Sequence, residues 1–182
     1  VYANKSSLEV SWYQAEPRLS LELIQRSGLG KDAPLIDVGG GASLLVDRLQ
    51  ADGYRRLAVL DISGAALTVA RQRLGAHAAD IEWYEADVTR FSAPHPFSLW
   101  HDRAVFHFLT AAEDRHQYVD VLRRTLVAGG HVIIAAFAPG GPVRCSGLDI
   151  VQYDAAKLLA ELGPNFRLEE QRAETHLTPA GK

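Results

Sequence analysis

Three aspartates, Asp37, Asp61 and Asp87, stand at the ends of short apolar runs, and the first leads into a triple glycine: Leu35-Ile36-Asp37-Val38-Gly39-Gly40-Gly41-Ala42-Ser43-Leu44. A backbone that turns tightly and lets a ligand come close has no room for a Cβ, and Gly39 and Gly41 meet that need. A helix opening near Leu44 aims its unpaired N–H groups back at the turn, which favours a polar or anionic ligand group. A dinucleotide site wants a small residue three places after the second glycine, and Leu44 occupies that place. Asp37 suits a cationic amino-acid head, whereas it would repel a pyrophosphate. The stretch therefore favours an adenosylmethionine-type ligand over a dinucleotide. Asp61 can accept both hydroxyls of a ribose. Asp87 can accept from an adenine amine while Val88 covers the ring. Any one of these acids could simply cap a helix; three in register with a glycine turn read as one site.

The second chemistry-bearing stretch is His101-Asp102-Arg103-Ala104-Val105-Phe106-His107-Phe108. It leaves a strand, so it is expected to line the crevice beside the reacting group. His101 reads as a cofactor-side residue, and Asp102 as a partner for the cofactor amine or an acceptor amine. His107 reads as a general base, its ordinary pKa lying close to working pH. Asp102 and Arg103 could instead pair locally, and Phe106 and Phe108 suit either the wall of the site or the core. Trp12-Tyr13 suits either a lid over the cofactor or a hydrophobic staple for the helix that follows. The spacing of His101, Asp102 and His107 matches no usual zinc or magnesium pattern, so no metal is expected. Cys145 is the only cysteine, in a loop that would face the acceptor, and reads as a small buried apolar residue.

The elements that must position these groups follow from patterning. Apolar runs mark strands at 35–38, 57–61, 81–88, 97–102 and 131–137, with a sixth opening at Phe166 and alternating on to about Leu177. Helices are expected from Pro17 to Ser27, from Leu44 to Ala51, and from an N-cap at Ser63 to Leu74. A capping box at Thr110-x-x-Glu113 should open a fourth that ends at Gly129-Gly130, and Tyr153 or Asp154 a fifth that ends before Gly163. Strand and helix alternate with short connections, which predicts a doubly wound, mainly parallel α/β sheet in a three-layer sandwich. A chain of 182 residues, 47% hydrophobic, is enough for one such domain. Within 1–182, residues 1–30 would form the lid and first helix, 31–137 the cofactor core, and 138–182 an acceptor-side loop, last helix and strand.

A net charge of −3 gives no footprint for nucleic acid, and the dispersed Lys and Arg none for an anionic membrane. The lone cysteine points to a reducing, cytoplasmic setting, and neither a membrane-length apolar run nor a secretory leader is visible. The chain has no methionine, so its natural start is expected to lie before Val1.

Taken together, Asp37-x-Gly39-x-Gly41, Leu60-Asp61-Ile62-Ser63, Glu85-Ala86-Asp87-Val88 and the run after Gly129-Gly130 resemble the successive motifs of class I S-adenosylmethionine-dependent methyltransferases. The resemblance covers about residues 10–140. It implies a Rossmann-like fold, S-adenosyl-L-methionine as cofactor, and Tyr13, Asp37, Gly39, Gly41, Asp61, Ile62, Asp87, Val88 and His101 as its binding residues. Asp102 and His107 are the candidate catalytic residues. Trp12-Tyr13 with Asp102-Arg103 is similar to a narrower group that includes lysine methyltransferases of translation factors, which carry Asp-Lys-Gly where this chain has Asp102-Arg103-Ala104. The seventh, antiparallel strand usual in the family is not expected within residues 1–182. The expected activity is transfer of a methyl group to an unidentified acceptor, more readily a small molecule than a protein lysine. Cofactor binding without turnover and NAD-dependent oxidoreduction are the alternatives.

Overall fold

The computed structural model describes residues 16–41 and 43–175. Its centre is a parallel sheet of five strands: β1 (Leu35–Val38), β2 (Leu57–Asp61), β3 (Ile81–Glu85), β4 (Phe97–Arg103) and β5 (Leu126–Ala135), in the order β3-β2-β1-β4-β5. β1 and β2 are buried along their whole length, as strands covered on both faces must be.

The two faces carry separate cores. On one, Leu35, Leu57, Val59 and Leu99 pack with Ile24 of α1 (Arg18–Arg26), Leu45 and Leu49 of α2 (Leu45–Ala51) and Leu67 of α3 (Gly64–Leu74). On the other, Ile36, Val38, Leu60 and Trp100 pack with Tyr118 and Leu122 of α4 (Ala112–Thr125) and Leu162 of a later helix (Ala155–Leu162). Side chains alternate along a strand, so odd-numbered residues of β1 and β2, and of β4 from Leu99 on, face α1–α3 and even-numbered ones face α4, whereas Phe97, before the irregularity in β4, packs on the α4 side.

The chain runs outward from β1 through β2 to β3, then returns to lay β4 on the other side of β1. Strand order therefore reverses between β1 and β4, and in such sheets ligands bind at the carboxyl ends beside that reversal. Asp37 pairs in register with His101, and Val38 with Asp102.

Helix ends follow the expected caps in part. Ser63 Oγ accepts from Ala66 N–H at 3.3 Å, and the Asp154 side chain accepts from Lys157 N–H at 2.8 Å. The Thr110 box does not form: α4 starts after Ala111 with no side-chain cap, and ends at Thr125 rather than at the glycine pair. β5 starts at once and runs through both glycines, with Gly129 at φ +75 and an irregular register against Phe97–Leu99. β3 stops at Glu85, short of Val88.

The sixth strand does not form. Residues 163–175 hold no helix or strand; Phe166 packs on the core, but Arg167, Leu168 and Glu169 after it are exposed. Among the described residues β5 is bonded on one side only, leaving a sheet edge. The loop after it carries a small antiparallel pair, β6 (Arg144–Cys145) and β7 (Leu148–Asp149), before α5 (Ala155–Leu162). No described helix is long and apolar enough to cross a membrane.

Candidate functional site

The glycine turn brings two of the three acids together. Asp61 Oδ2 accepts from Gly41 N–H at 3.0 Å, and its Oδ1 accepts from Ser63 N–H at 2.8 Å. Burial raises the Asp61 pKa, against the pull of those two N–H groups, and the Asp37 charge nearby adds to the rise. Asp37 lies beneath Gly40, so close that a Cβ there would strike its carboxyl group. A Cβ on Gly41 would meet Ala66 at 2.7 Å and Asp61 Oδ2 at 2.8 Å. Gly39, at φ +71, lies against the Val105 side chain. The space a side chain would need here is thus filled by the protein itself. Glycine lets two acids and the neighbouring elements close on the turn, a reason additional to ligand approach.

Asp37 is held by a chain of three side chains. His101 Nδ1–H donates to Asp37 Oδ1 at 2.7 Å, and the Ser20 hydroxyl on α1 lies 2.9 Å from His101 Nε2. The carboxylate can only accept, so Nδ1 carries a proton. Asp37 Oδ2 is buried with no hydrogen-bond partner among the described residues. A hollow lined by Pro17, Ser20, Asp37, Gly39, His101 and Arg103 opens at this point. An orphaned carboxylate oxygen in a polar hollow is where a cationic group would bind.

Other expected residues fall in different places. Asp87 is exposed and caps the short turn Val88–Arg90, its Oδ1 accepting from the Thr89 N–H and hydroxyl. Its neighbour Ala86 donates to the Asp61 carbonyl at 3.1 Å, which keeps that loop beside the end of β2. Val88 packs into the core with 8% of its surface left, too little to cover a ring. Ile62, 74% exposed next to Asp61, presents the apolar surface instead. His101 lines the hollow, but Asp37 and Ser20 take both its nitrogens. Tyr13, with Trp12, lies outside the described residues.

Both candidate catalytic residues are buried. Asp102 is fully buried on the α4 face. It accepts from Val105 N–H at 2.8 Å, Phe106 N–H at 3.1 Å and the Tyr118 hydroxyl at 2.7 Å, while Trp100 Nε1–H donates to that hydroxyl at 2.8 Å. Burial pushes its pKa up to about 6. One step along a strand reverses the side chain, so Asp102 points away from the crevice that His101 lines. His107 is also buried, its ring stacked on Phe137 at 5.5 Å and both nitrogens without a hydrogen-bond partner among the described residues. Burial holds its pKa down to about 4. It is a neutral ring walled in by aromatics, not a base presented to an acceptor. Cys145 is buried on β6, as expected.

Ser20 and Arg103 also line the hollow, and neither is among the expected binding residues. Both were open to a periodic argument: Pro17, Ser20 and Ile24 share the buried side of α1, and Arg103 shares the parity of Leu99 and His101 on β4.

A family model described as a methyltransferase domain matches residues 35–130, more than half of the chain. Solved structures give the same fold. N-methyltransferase NodS from Bradyrhizobium japonicum WM9, bound to S-adenosyl-L-homocysteine, is 24% identical with a TM-score of 0.58, over 70% of this chain and 66% of that one. The glycopeptide N-methyltransferase MtfA with sinefungin is 19% identical with a TM-score of 0.60, over 71% and 58%. The sugar N-methyltransferase KedS8 from Streptoalloteichus sp ATCC 53650 is 18% identical with a TM-score of 0.56, over 76% and 52%. The matched parts thus span about half to two-thirds of those chains. No curated protein matches this sequence closely enough to count as a relative.

Proposed function

The chain belongs to the methyltransferase-domain family, and on that premise we propose that it binds S-adenosylmethionine at the glycine turn and directs its methyl group to a small-molecule acceptor. The convergence of Asp37 and Asp61 on one turn carries this reading. When bound, the cofactor supplies a methyl already activated on a sulfonium. The chain's own residues bind and orient. Asp61, its two oxygens fixed by Gly41 and Ser63, keeps acceptor capacity on each for the ribose hydroxyls. Asp37 Oδ2 accepts from the amino group, and Ile62 covers the adenine, with Asp87 beside it. Holding reactants in line can contribute ~7–11 kcal/mol to such a displacement. A neutral amine takes up the methyl group without a base to deprotonate it first, so neither Asp102 nor His107 need serve as one. The N-methyltransferases among the structural neighbours support that class of acceptor.

Calorimetry with S-adenosylhomocysteine tests the reading. Binding is expected in the micromolar range, with Asp61→Ala weaker by at least about tenfold through loss of two charge-assisted hydrogen bonds. No binding by the unaltered protein would overturn it.

A second reading, transfer to a protein lysine, is favoured by one observation. Ala104 has φ +69, a left-handed conformation suited to glycine, at the place where the translation-factor lysine methyltransferases carry the glycine of Asp-Lys-Gly. Transfer of labelled methyl into a cell extract separates the two readings by the mass of the labelled product.

A further inference from the structure

A carboxylate that must offer one oxygen to a cation needs its other oxygen fixed, or the group turns about its own bond. Asp37 is fixed on both sides: Gly40 closes over Oδ2, where an added Cβ would strike it, and His101 Nδ1–H holds Oδ1 at 2.7 Å. An imidazole in turn keeps its direction when its far nitrogen is held by an outer partner. That partner is the Ser20 hydroxyl, 2.9 Å from Nε2. The three side chains are at most 7% exposed and come from three elements, β1, β4 and α1. Packing alone does not call for polar groups there. Leu99 on the same face of β4 and Ile24 on the buried side of α1 fill the adjoining core with aliphatic side chains. Exchanging both partners of a buried hydrogen bond for apolar groups of like shape is close to neutral for stability.

We propose that His101 and Ser20 are positioning residues for the cofactor's amino group, holding Asp37 so that Oδ2 meets the amine and making the seating of α1 set how firmly it is held; this rests on the cofactor reading above. The dependence runs along the chain of contacts. Without the Ser20 hydroxyl, the His101 ring is free to turn about its Cβ–Cγ bond, which takes Nδ1 away from Oδ1. A buried carboxylate with neither oxygen bonded then reorients toward whatever donor reaches it. The amine meets an acid that is no longer aimed. Asp61 and Ile62, which serve the ribose and adenine in this reading, lie at the end of β2, and Asp61 is held by Gly41 and Ser63 instead. The loss therefore falls on the amino group alone.

The test is calorimetry of the whole chain with two ligands, S-adenosylhomocysteine and its deaminated analogue, which keeps the carboxylate and lacks the amine. Ser20→Ala is expected to weaken S-adenosylhomocysteine by at least about fivefold and the analogue by less than about twofold. Ser20→Thr keeps the hydroxyl and is expected to bring S-adenosylhomocysteine back to within about twofold of the unaltered protein. His101→Leu removes the donor to Oδ1 and is expected to cost S-adenosylhomocysteine at least about tenfold, again sparing the analogue. In an Asp37→Asn background Ser20→Ala is expected to add less than about twofold, because it acts through that carboxylate. Unchanged analogue binding also shows that a variant is folded, and Ser20→Ala carries the test if His101→Leu does not fold. Equal weakening of both ligands, no weakening of S-adenosylhomocysteine, or full additivity with Asp37→Asn overturns the inference and leaves the cofactor reading standing. Absence of binding by the unaltered protein overturns both.

Discussion

Asp102 takes three hydrogen bonds at a fully buried position, so its truncation leaves Val105 N–H, Phe106 N–H and the Tyr118 hydroxyl without that acceptor. Asp102→Ala is expected to cost ~3 kcal/mol or more in urea unfolding, since each buried orphan costs about 1–3 kcal/mol. Asp102→Asn keeps one accepting oxygen and should cost less, with S-adenosylhomocysteine affinity within about twofold of wild type. A large loss of affinity in the Asn variant would return Asp102 to the crevice. That His101 and Asp102 stand at the end of a strand beside Asp37 is legible in the sequence; that they serve opposite faces is not. A strand covered on both sides is apolar in both directions, so its composition does not tell which residue faces which layer. The register of β4 against β1 supplies that answer by setting His101 beside Asp37.

Between β4 and the turn that follows, Ala104 holds φ +69 and donates its N–H to the Ala135 carbonyl at 3.0 Å. A left-handed conformation costs a residue with a Cβ about 1–2 kcal/mol, and glycine avoids this while adding some freedom to the unfolded chain. Ala104→Gly is therefore expected to raise stability by ~0.5–1 kcal/mol, seen as a higher urea midpoint at unchanged slope. Among elements, the first four strands and all five helices are legible, because buried runs and apolar periodicity mark them. The ends are less so. Thr110 and Glu113 match a capping box, yet the helix starts one residue late, and Gly129-Gly130 resembles a helix stop but lies within β5. Phe166 begins a plausible strand whose next residues stay exposed, so patterning alone could not show that no neighbour receives them.

In the molecule as a whole, Asp102 and His107 oppose each other as pH changes. The folded state holds the Asp102 proton up to about pH 6, against an ordinary 3.8, so this group's contribution to stability falls as pH rises across that window. The folded state refuses the His107 proton down to about pH 4, against an ordinary 6.5, so its contribution rises across much the same window. The two largely cancel in wild type. Asp102→Asn is expected to become more stable relative to wild type as pH rises from about 4 to 6, by up to ~3 kcal/mol. His107→Phe should show the opposite trend, and urea midpoints taken across that range check both. The order β3-β2-β1-β4-β5 was legible only as a parallel doubly wound class. It is what joins residues far apart in the chain: Ser20, Asp37 and His101 meet because β4 returns to the side of β1 that α1 covers. A pull on the free oxygen of Asp37 is thereby felt at the first helix. A ligand seated on that oxygen would steady the way the chain enters the sheet, and a firmly docked entry would in turn hold the acid ready for the ligand.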